Sequence, residues 1–283
     1  MKKFYSAILL GLLIFTITSC SPAIPDPTNT PTIELTIPRQ ENWGIYSLDL
    51  STEKIKLIYS TPWRISGLRL DPSGDRFAFS LMIDGDGHDF EEICTVNLDG
   101  SGFQRLTEND TLDTYPAWSP GGTRMAFLAW RNDSMDIFMM NADGSDQRLL
   151  YDSGSHDGDV HWVGDQLVYT QNSQIWMINS DGSDAHQISD PPRAGEWGQA
   201  VLPFGDYDPN FNPDGSKIAF ERMVAEDTQH GNYDIFLINR DGTGETPLTT
   251  NSNTQGLPQW SHAGDRIVLF SLPLKTRVYT RFI

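Results

Sequence analysis

Short apolar runs separated by glycine-rich and proline-rich turns recur along the chain, and the same order of residues returns at a fixed spacing. Residues 118–127 read Trp-Ser-Pro-Gly-Gly-Thr-Arg-Met-Ala-Phe, and residues 211–220 read Phe-Asn-Pro-Asp-Gly-Ser-Lys-Ile-Ala-Phe. Each segment is followed by an Asp-Ile-Phe run that leads into Asp-Gly, at residues 136–145 and 234–243. A repeat of about 40–50 residues that holds several short strands is typical of a β-propeller blade. The sequence therefore predicts an all-β chain that folds as a single β-propeller.

Weaker copies of the same unit keep the spacing, and they open at residues 70–79, 162–169 and 260–268. A Pro-Gly-Gly or Pro-Asp-Gly turn joins the first two strands of a unit, because glycine supplies the positive backbone angles of a tight turn. Asp-Gly-Ser joins the last two strands and is a strong hairpin signal. The runs between these turns are rich in aromatic and branched residues, as strands require. No window of the mature chain shows a helical period.

The two ends of the repeat region complement each other. The last unit opens at Trp260 and stops before its Asp-Gly turn, whereas residues 45–59 read as an outer hairpin alone. Pairing the chain ends in one blade would remove the exposed sheet edges, so we expect residues 45–50 to pair with residues 266–271. This count gives five blades, one of them closed by N-terminal and C-terminal strands. A truncated six-bladed propeller is the alternative.

These units resemble the blades of TolB-type propellers, which are bacterial cell-envelope proteins with WD-like repeats. The resemblance covers residues 65–283, and the hairpin at residues 43–59 completes the predicted ring. It departs from the family at residues 163–165, where Val-Gly-Asp replaces the usual turn, and no accessory domain of the TolB kind precedes the blades. The resemblance implies the fold and a place in the cell envelope. It leaves the function open, since one propeller scaffold carries many activities.

The first twenty residues predict export. Lys2 and Lys3 precede an apolar run from Ala7 to Ile17, which is the charge region and core of a signal peptide rather than a membrane span. The run ends in Ile-Thr-Ser-Cys, which resembles a bacterial lipobox. In that family of signals Cys20 receives a diacylglyceryl thioether and becomes the mature N-terminus. A plain signal peptide with an incidental cysteine is the alternative.

Residues 20–40 are rich in proline, threonine and serine, and they predict an extended tether. The predicted organisation is a signal peptide at residues 1–19, the tether from Cys20 at residues 20–40, and the propeller at residues 41–283. Because Ser21 rather than aspartate follows the cysteine, the family rule sends such a lipoprotein to the outer membrane of a two-membrane bacterium. The sequence leaves the number of membranes in the host open.

Charge and cysteine content exclude several classes of protein. A formal net charge of −18 opposes binding to nucleic acid and to anionic lipid headgroups, so we expect the membrane to be contacted only through the lipid anchor. Cys94 is the only cysteine besides Cys20, and its place in a strand predicts a small buried hydrophobe. We expect a monomer.

The long connections between strands are the predicted binding surface. Both tight turns of a unit lie at one end of its strands and the long connections at the other, where loops on a rigid scaffold usually bind ligands. The longest connection, residues 189–206, contains Trp197, and residues 155–159 form another. The residues equivalent to Trp118 in the other units are Leu70, Trp162, Phe211 and Trp260. Counting back from these positions by one and by three residues gives two sets that should line the central channel. The candidate binding residues on loops and channel are Arg69, His88, Asp89, Asp159, His161, Trp197, Asp208 and His230.

Signals for chemistry are weak. Residues 84–89 alternate acids as a calcium loop does, but His88 and Thr95 occupy the fifth and twelfth ligand positions, so a solvated acidic loop is the better interpretation. Four histidines on the long-loop side lack the spacing of a metal site. No nucleophile elbow, zinc-protease motif or phosphate-binding glycine loop occurs. We therefore predict no metal, no cofactor and no catalytic residue.

The sequence favours a membrane-tethered, exported binding module of the bacterial envelope over an enzyme. Its expected partner is an envelope protein, a peptide or a glycan. The alternative is a small propeller lyase or hydrolase that uses a metal and acidic residues at the channel mouth. The expected location is the cell membrane or outer membrane, facing the periplasm or the exterior.

Overall fold

The computed structural model describes residues 42–49, 52, 54–83, 90–131, 133–225, 231–250 and 253–273, together with a strand at residues 13–16. Within these ranges the regular elements are all strands, as the sequence predicts, and no helix is long and apolar enough to cross a membrane. The strands are β1 (Leu13–Thr16), β2 (Trp43–Asp49), β3 (Lys54–Thr61), β4 (Ile65–Leu70), β5 (Arg76–Met82), β6 (Glu91–Asn97), β7 (Gln104–Arg105), β8 (Asp113–Trp118), β9 (Arg124–Arg131), β10 (Ser134–Asn141), β11 (Arg148–Tyr151), β12 (Asp157–Val163), β13 (Gln166–Gln171), β14 (Gln174–Asn179), β15 (His186–Gln187), β16 (Asp206–Phe211), β17 (Lys217–Ala225), β18 (Asn232–Asn239), β19 (Thr246–Pro247), β20 (Asn253–Trp260) and β21 (Ile267–Pro273).

Four sheets of four strands follow the predicted repeat. Their strand orders are β4-β5-β6-β7, β8-β9-β10-β11, β12-β13-β14-β15 and β16-β17-β18-β19, so each sheet uses consecutive strands. The chain divides into two compact units, which we call the N-terminal unit (residues 7–167 with 179–183) and the C-terminal unit (residues 168–178 with 184–283). In each sheet the first strand is the inner strand of a predicted blade.

Apolar residues of the second and third strands form the core of each sheet. In the second sheet Met125, Phe127 and Ala129 alternate along β9 and pack with Trp118 and Met140. The cores of the sheets also contain the residues two positions before the Trp118 equivalents, which are buried as predicted: Leu68, Pro116, Val160, Pro209 and Pro258. Close packing of this kind supplies most of the stability of a β fold.

Cys94 lies in this core and is fully buried in β6. Burial raises the pKa of its thiol to about 12, so the side chain stays neutral. The prediction that Cys94 serves as a small hydrophobe is confirmed.

The Asp-Gly turns also contact the previous sheet. Gly144 has a φ of 86°, and a Cβ atom there would come within 3.0 Å of the Leu106 carbonyl oxygen at the end of the previous sheet. The glycines of the other three turns approach a carbonyl oxygen in the same way: Gly100 that of Ile58, Gly182 that of Leu150 and Gly242 that of Ile188. Glycine is needed at these positions for close approach as well as for backbone angle.

The repeated tryptophans also connect neighbouring sheets. The Trp118 indole N–H donates to the Arg69 carbonyl oxygen at 3.3 Å, and the Trp260 indole donates to the Asn210 carbonyl oxygen at 3.1 Å. The Arg76 guanidinium lies 4.6 Å from the centroid of the Trp118 ring, which adds a cation–π contact. Trp118 and Trp260 are therefore packing residues.

In the full-length chain the predicted closure by the chain ends is wrong, and the strand that takes its place, β1, belongs to the predicted signal peptide. Strand β2 lies between β1 and β3 in a three-stranded sheet, and β21 pairs with β20. Leu13–Thr16 runs parallel to β2, with Leu13 opposite Tyr46, and occupies the edge that residues 266–271 were expected to fill. The number of blades stays a prediction.

Candidate functional site

In each four-stranded sheet the turns from the first to the second strand and from the third to the fourth lie at one end, and we call the opposite end the long-loop end. Two residues are enough to join β9 to β10 and β13 to β14 there, whereas the connections to the next sheet are longer. Of the candidate binding residues, Arg69, Asp159, His161, Trp197 and Asp208 lie in the described part of the chain. Cys20, His88, Asp89 and His230 lie outside it.

The inner strands carry a backbone irregularity that the sequence analysis missed. One residue of each strand has a left-handed φ between 49° and 59°, and it is always the third before the Trp118 equivalent: Gly67, Tyr115, Asp159, Asp208 and Leu257. At this point the register with the next strand shifts, for example between Thr114 and Ala117 in β8. A β-bulge therefore interrupts the two-residue alternation used to predict channel residues. Asp159 and Asp208 occupy equivalent bulge positions, in different units, and are half-buried.

The set one residue before the Trp118 equivalents does bring polar side chains together. Within the N-terminal unit, burial and the charge of Arg69 lower the pKa of His161 to about 3, so the imidazole is neutral at physiological pH. Within the C-terminal unit, the Asn210 side-chain amide donates to the Gln259 oxygen at 3.2 Å. The Arg69 guanidinium is thus near enough to disfavour a charge on His161.

The connection that carries Trp197 is folded against its own sheet. Phe204 is buried with Tyr207 and Tyr233, and the Arg193 guanidinium lies 3.6 Å from the centroid of the Phe204 ring. The Phe204 N–H donates to the Glu196 carbonyl oxygen at 2.9 Å. Trp197 projects from this anchored loop with 64% of its surface exposed.

All eight tryptophans of the chain are described, and each of the three exposed ones lies at the same end of its own sheet. Trp63 lies in the connection from β3 to β4, Trp130 at the end of β9, and Trp197 in the connection from β15 to β16. Each of these positions is at the long-loop end of its sheet. A large exposed aromatic side chain is a typical anchor of a binding surface.

A group of carboxylates that the sequence analysis did not select lies at the same ends. In three inner strands the first residue is a buried aspartate, namely Asp113, Asp157 and Asp206. Each lies five positions before the Trp118 equivalent. Counting back two residues further would have shown this from the sequence.

Two of these aspartates hold an arginine of the next strand. Asp113 forms an ion pair of 2.8 Å with Arg131. Asp206 forms two hydrogen bonds with Arg222, of 2.6 and 2.8 Å, and Arg222 also forms two hydrogen bonds with Glu245. Burial opposes the charge of Arg222, but these bonds outweigh burial and hold the pKa of its guanidinium above the usual value.

Asp157 differs from its two equivalents. It is 4% exposed, and neither of its carboxylate oxygens has a hydrogen-bond partner. Strand β13, which follows in its sheet, reads Gln-Leu-Val-Tyr-Thr-Gln and contains no arginine. The Ser153 hydroxyl lies nearby, but it donates to the Ser155 carbonyl oxygen at 3.1 Å.

The surroundings of Asp157 are acidic and aromatic. Burial, with the charges of Asp136 and Asp152, raises the pKa of Asp157 to about 7, and Ser153 offsets this only in part. Asp136 is also buried, and its Oδ1 atom has no hydrogen-bond partner. His156 stacks on Trp130 with ring centroids 5.0 Å apart, and its Nδ1 accepts from the Met135 N–H at 3.2 Å.

Among the described residues, no three histidine, cysteine, aspartate or glutamate side chains are arranged to hold a metal ion. The acidic loop at residues 84–89 lies outside the described residues.

Successive four-stranded antiparallel sheets with equivalent inner strands define a β-propeller protein. Residues 27–196, more than half of the chain, match the family model described as the TolB beta propeller domain, so the chain belongs to this family. The family resemblance drawn from the repeats is confirmed.

Two curated relatives show how much of the chain is similar to known proteins. An uncharacterized protein of Agrobacterium fabrum is 28% identical over 273 residues, which cover 78% of this chain and 89% of the relative. A protein TolB homolog of Chlorobium luteolum is 26% identical over 177 residues, which cover 60% of this chain and 36% of the relative. The chain therefore spans just over a third of that TolB homolog.

Solved structures agree on the fold. A putative TolB from Agrobacterium tumefaciens superimposes with a TM-score of 0.56 at 17% identity, covering 80% of this chain and 97% of the other. TolB from Acinetobacter baumannii gives a TM-score of 0.61 at 17% identity and covers 78% of this chain and 52% of the other. At this identity the likeness shows a shared fold and carries no function.

Proposed function

We propose that the protein is an exported binding module of the bacterial cell envelope that captures its partner at the long-loop ends of its sheets. The observation that carries the proposal is the location of the exposed tryptophans: Trp63, Trp130 and Trp197 all lie at those ends. The opposite ends carry Asn-x-Asp-Gly turns whose polar groups bond within the turn, as when the Asp143 carboxylate accepts from the Ser145 N–H and hydroxyl. Membership of the TolB propeller family supports an envelope role.

The partner is an envelope protein, a peptide or a glycan, and the protein acts as a monomer. Tryptophan contributes a large apolar area at low entropic cost, and carboxylates beside it provide orientation. The net charge of −18 makes nucleic acid an unfavourable partner. The protein is held at the cell membrane or outer membrane by lipid on Cys20, and residues 20–40 give it reach.

Trp197 is expected to be a binding hot spot. Trp197→Ala should weaken capture of the partner by about 1–2 kcal/mol, which is roughly five- to thirty-fold in Kd. The melting temperature should change little, because most of the side chain is exposed. Titration of the purified variant against a partner isolated from host membranes measures the loss.

The matched control for Trp197→Ala alters a tight turn. Asp143→Ala removes two hydrogen bonds within the turn at residues 141–145 and should leave capture unchanged. If Asp143→Ala abolishes capture while Trp197→Ala has no effect, the partner binds at the turn ends and the proposed surface is wrong.

Membrane tethering through Cys20 is a separate expectation. Cys20→Ala should release the protein from the membrane fraction or leave the precursor unprocessed, since the thioether can form only on that sulfur. Fractionation and mass spectrometry of the N-terminal peptide check this. Unchanged membrane association of Cys20→Ala, with no lipid mass on the wild-type peptide, would refute the tether.

A further inference from the structure

Three inner strands begin with a buried aspartate, and one of these aspartates lacks the arginine partner that the other two have. A buried aspartate at the start of the strand binds an arginine from the next strand in two sheets, through Asp113 with Arg131 and Asp206 with Arg222. The third copy has the aspartate, Asp157, in the same position and no arginine in the next strand. We infer that the place of this arginine is taken by a guanidinium group from a bound partner.

The chemistry around Asp157 fits a guanidinium. A planar guanidinium donates up to five hydrogen bonds and pairs with carboxylates in a fork. Asp157 offers two unpartnered carboxylate oxygens, and neighbouring Asp136 offers a third in its Oδ1 atom. Three buried acceptors without donors are unusual in a native protein, because each costs free energy until it is satisfied.

Net charge points to the same occupant. Burial comes first in raising the pKa of Asp157 and of Asp136, and the charge of Asp152 adds to both, as does that of Asp136 for Asp157, so a neutral ligand would leave this repulsion in place. A cation relieves it. The stacked pair of Trp130 and His156 adds an aromatic surface beside these acids, and guanidinium groups stack well on such surfaces.

Residues 152–156 connect β11 to β12 and lead directly into Asp157. The loop is tied to β10 by the bond from the Met135 N–H to His156 and to β9 by the stack of His156 on Trp130. Because Asp157 is 4% exposed, a guanidinium would reach it only with a shift of this connection, which takes part in no strand pair.

This inference rests on the proposed function, because it names the chemistry of the partner: a segment with an arginine side chain. Its test needs no partner. N-acetyl-L-arginine amide is the probe, and N-acetyl-L-citrulline amide is its neutral counterpart of nearly equal shape. Binding is followed at pH 8 by chemical-shift changes of the His156 ring and the Trp130 indole in the whole mature protein.

We expect the arginine probe to bind at least tenfold more tightly than the citrulline probe. Asp157→Asn should abolish this preference, whereas Asp143→Asn, in the tight turn of the same unit, should preserve it. Binding should weaken as the pH falls from 8 to 6, since Asp157 gains a proton, with Asp136, Asp152 and His156 as the other titratable groups that face it. Circular dichroism confirms that each variant is folded.

Three results would overturn the inference: no binding of the arginine probe, equal binding of the citrulline probe, or an unchanged preference in Asp157→Asn. These results are distinct from failure of the proposed function. A protein that binds the arginine probe and captures no envelope component contradicts the envelope role alone, and capture that persists in Asp157→Asn with full affinity contradicts the arginine site alone.

Discussion

Asp157→Asn is expected to stabilise the protein at pH 8 and to leave its stability unchanged near pH 4. The pKa of Asp157 is about 7 in the folded protein, against an ordinary value of 3.8. The folded state therefore keeps a proton that the unfolded state releases between these values, and the free energy of unfolding falls as the pH rises through this window. Above pH 7 the full cost of burying the charge is present.

The size of this effect follows from the same difference. One pKa unit corresponds to about 1.4 kcal/mol, so the gain at pH 8 has an upper limit of about 4 kcal/mol. Asparagine resembles the protonated carboxyl in shape and charge, which is why the two proteins should match near pH 4. Thermal melts at several pH values measure the curve.

Asp113→Asn is the matched control, because Asp113 occupies the same strand position and is paired with Arg131. Burial also raises the pKa of Asp113, but its contacts with Asn109 and Arg131 offset part of that cost, so Asp113→Asn should stabilise the protein at pH 8 less than Asp157→Asn does. If Asp157→Asn instead lowers the melting temperature at pH 8, the Asp157 carboxylate is stabilised by its surroundings, and both its raised pKa and its lack of a partner are wrong.

Arg222→Met is expected to be the most destabilising substitution at a charged residue. The guanidinium is 9% exposed, links Asp206 to Glu245 and lies 4.5 Å from the centroid of the Phe236 ring. Methionine keeps part of the apolar contact but leaves the buried Asp206 carboxylate without its arginine. The loss should be about 3–5 kcal/mol, or roughly 10 °C in melting temperature for a chain of this size.

A second variant separates charge from packing. Adding Asp206→Asn to Arg222→Met should recover part of the loss, because the uncompensated charge at Asp206 is removed. Arg193→Met is the control: Arg193 also lies over an aromatic ring but is half exposed, so its replacement should cost less than about 1 kcal/mol. Equal losses in Arg193→Met and Arg222→Met would show that the buried network adds nothing.

The repeats predicted the sheets well because turn chemistry and strand propensity are local. The Asp-Gly hairpins, the apolar positions two before each Trp118 equivalent and the burial of Cys94 all follow from residues close in sequence. The pairing of residues 45–50 could not be settled in this way. It depends on which distant strand competes for an edge, and Leu13–Thr16 takes it in the structure.

The site was predicted less well, for two physical reasons. The left-handed residue in each inner strand has no common side chain, since Gly67, Tyr115 and Leu257 all adopt it, so the bulge left no mark in the sequence. Asp157 stands out because it lacks an arginine partner. This is seen only when the structure is compared at Asp113 and Asp206, which are each paired with an arginine. Arg69 and His161 both lie after the bulge, where alternation resumes, and their role as channel residues stays a prediction.

The glycine of each Asp-Gly turn rests against a carbonyl oxygen of the preceding sheet, and the spacing between sheets at that rim is thereby set by main chain on both sides. A side chain at these glycines would meet that carbonyl oxygen and force the neighbouring sheet to move. Because this contact involves only main-chain atoms, a blade transplanted from a relative should pack against its neighbour wherever its Asp-Gly turn is preserved.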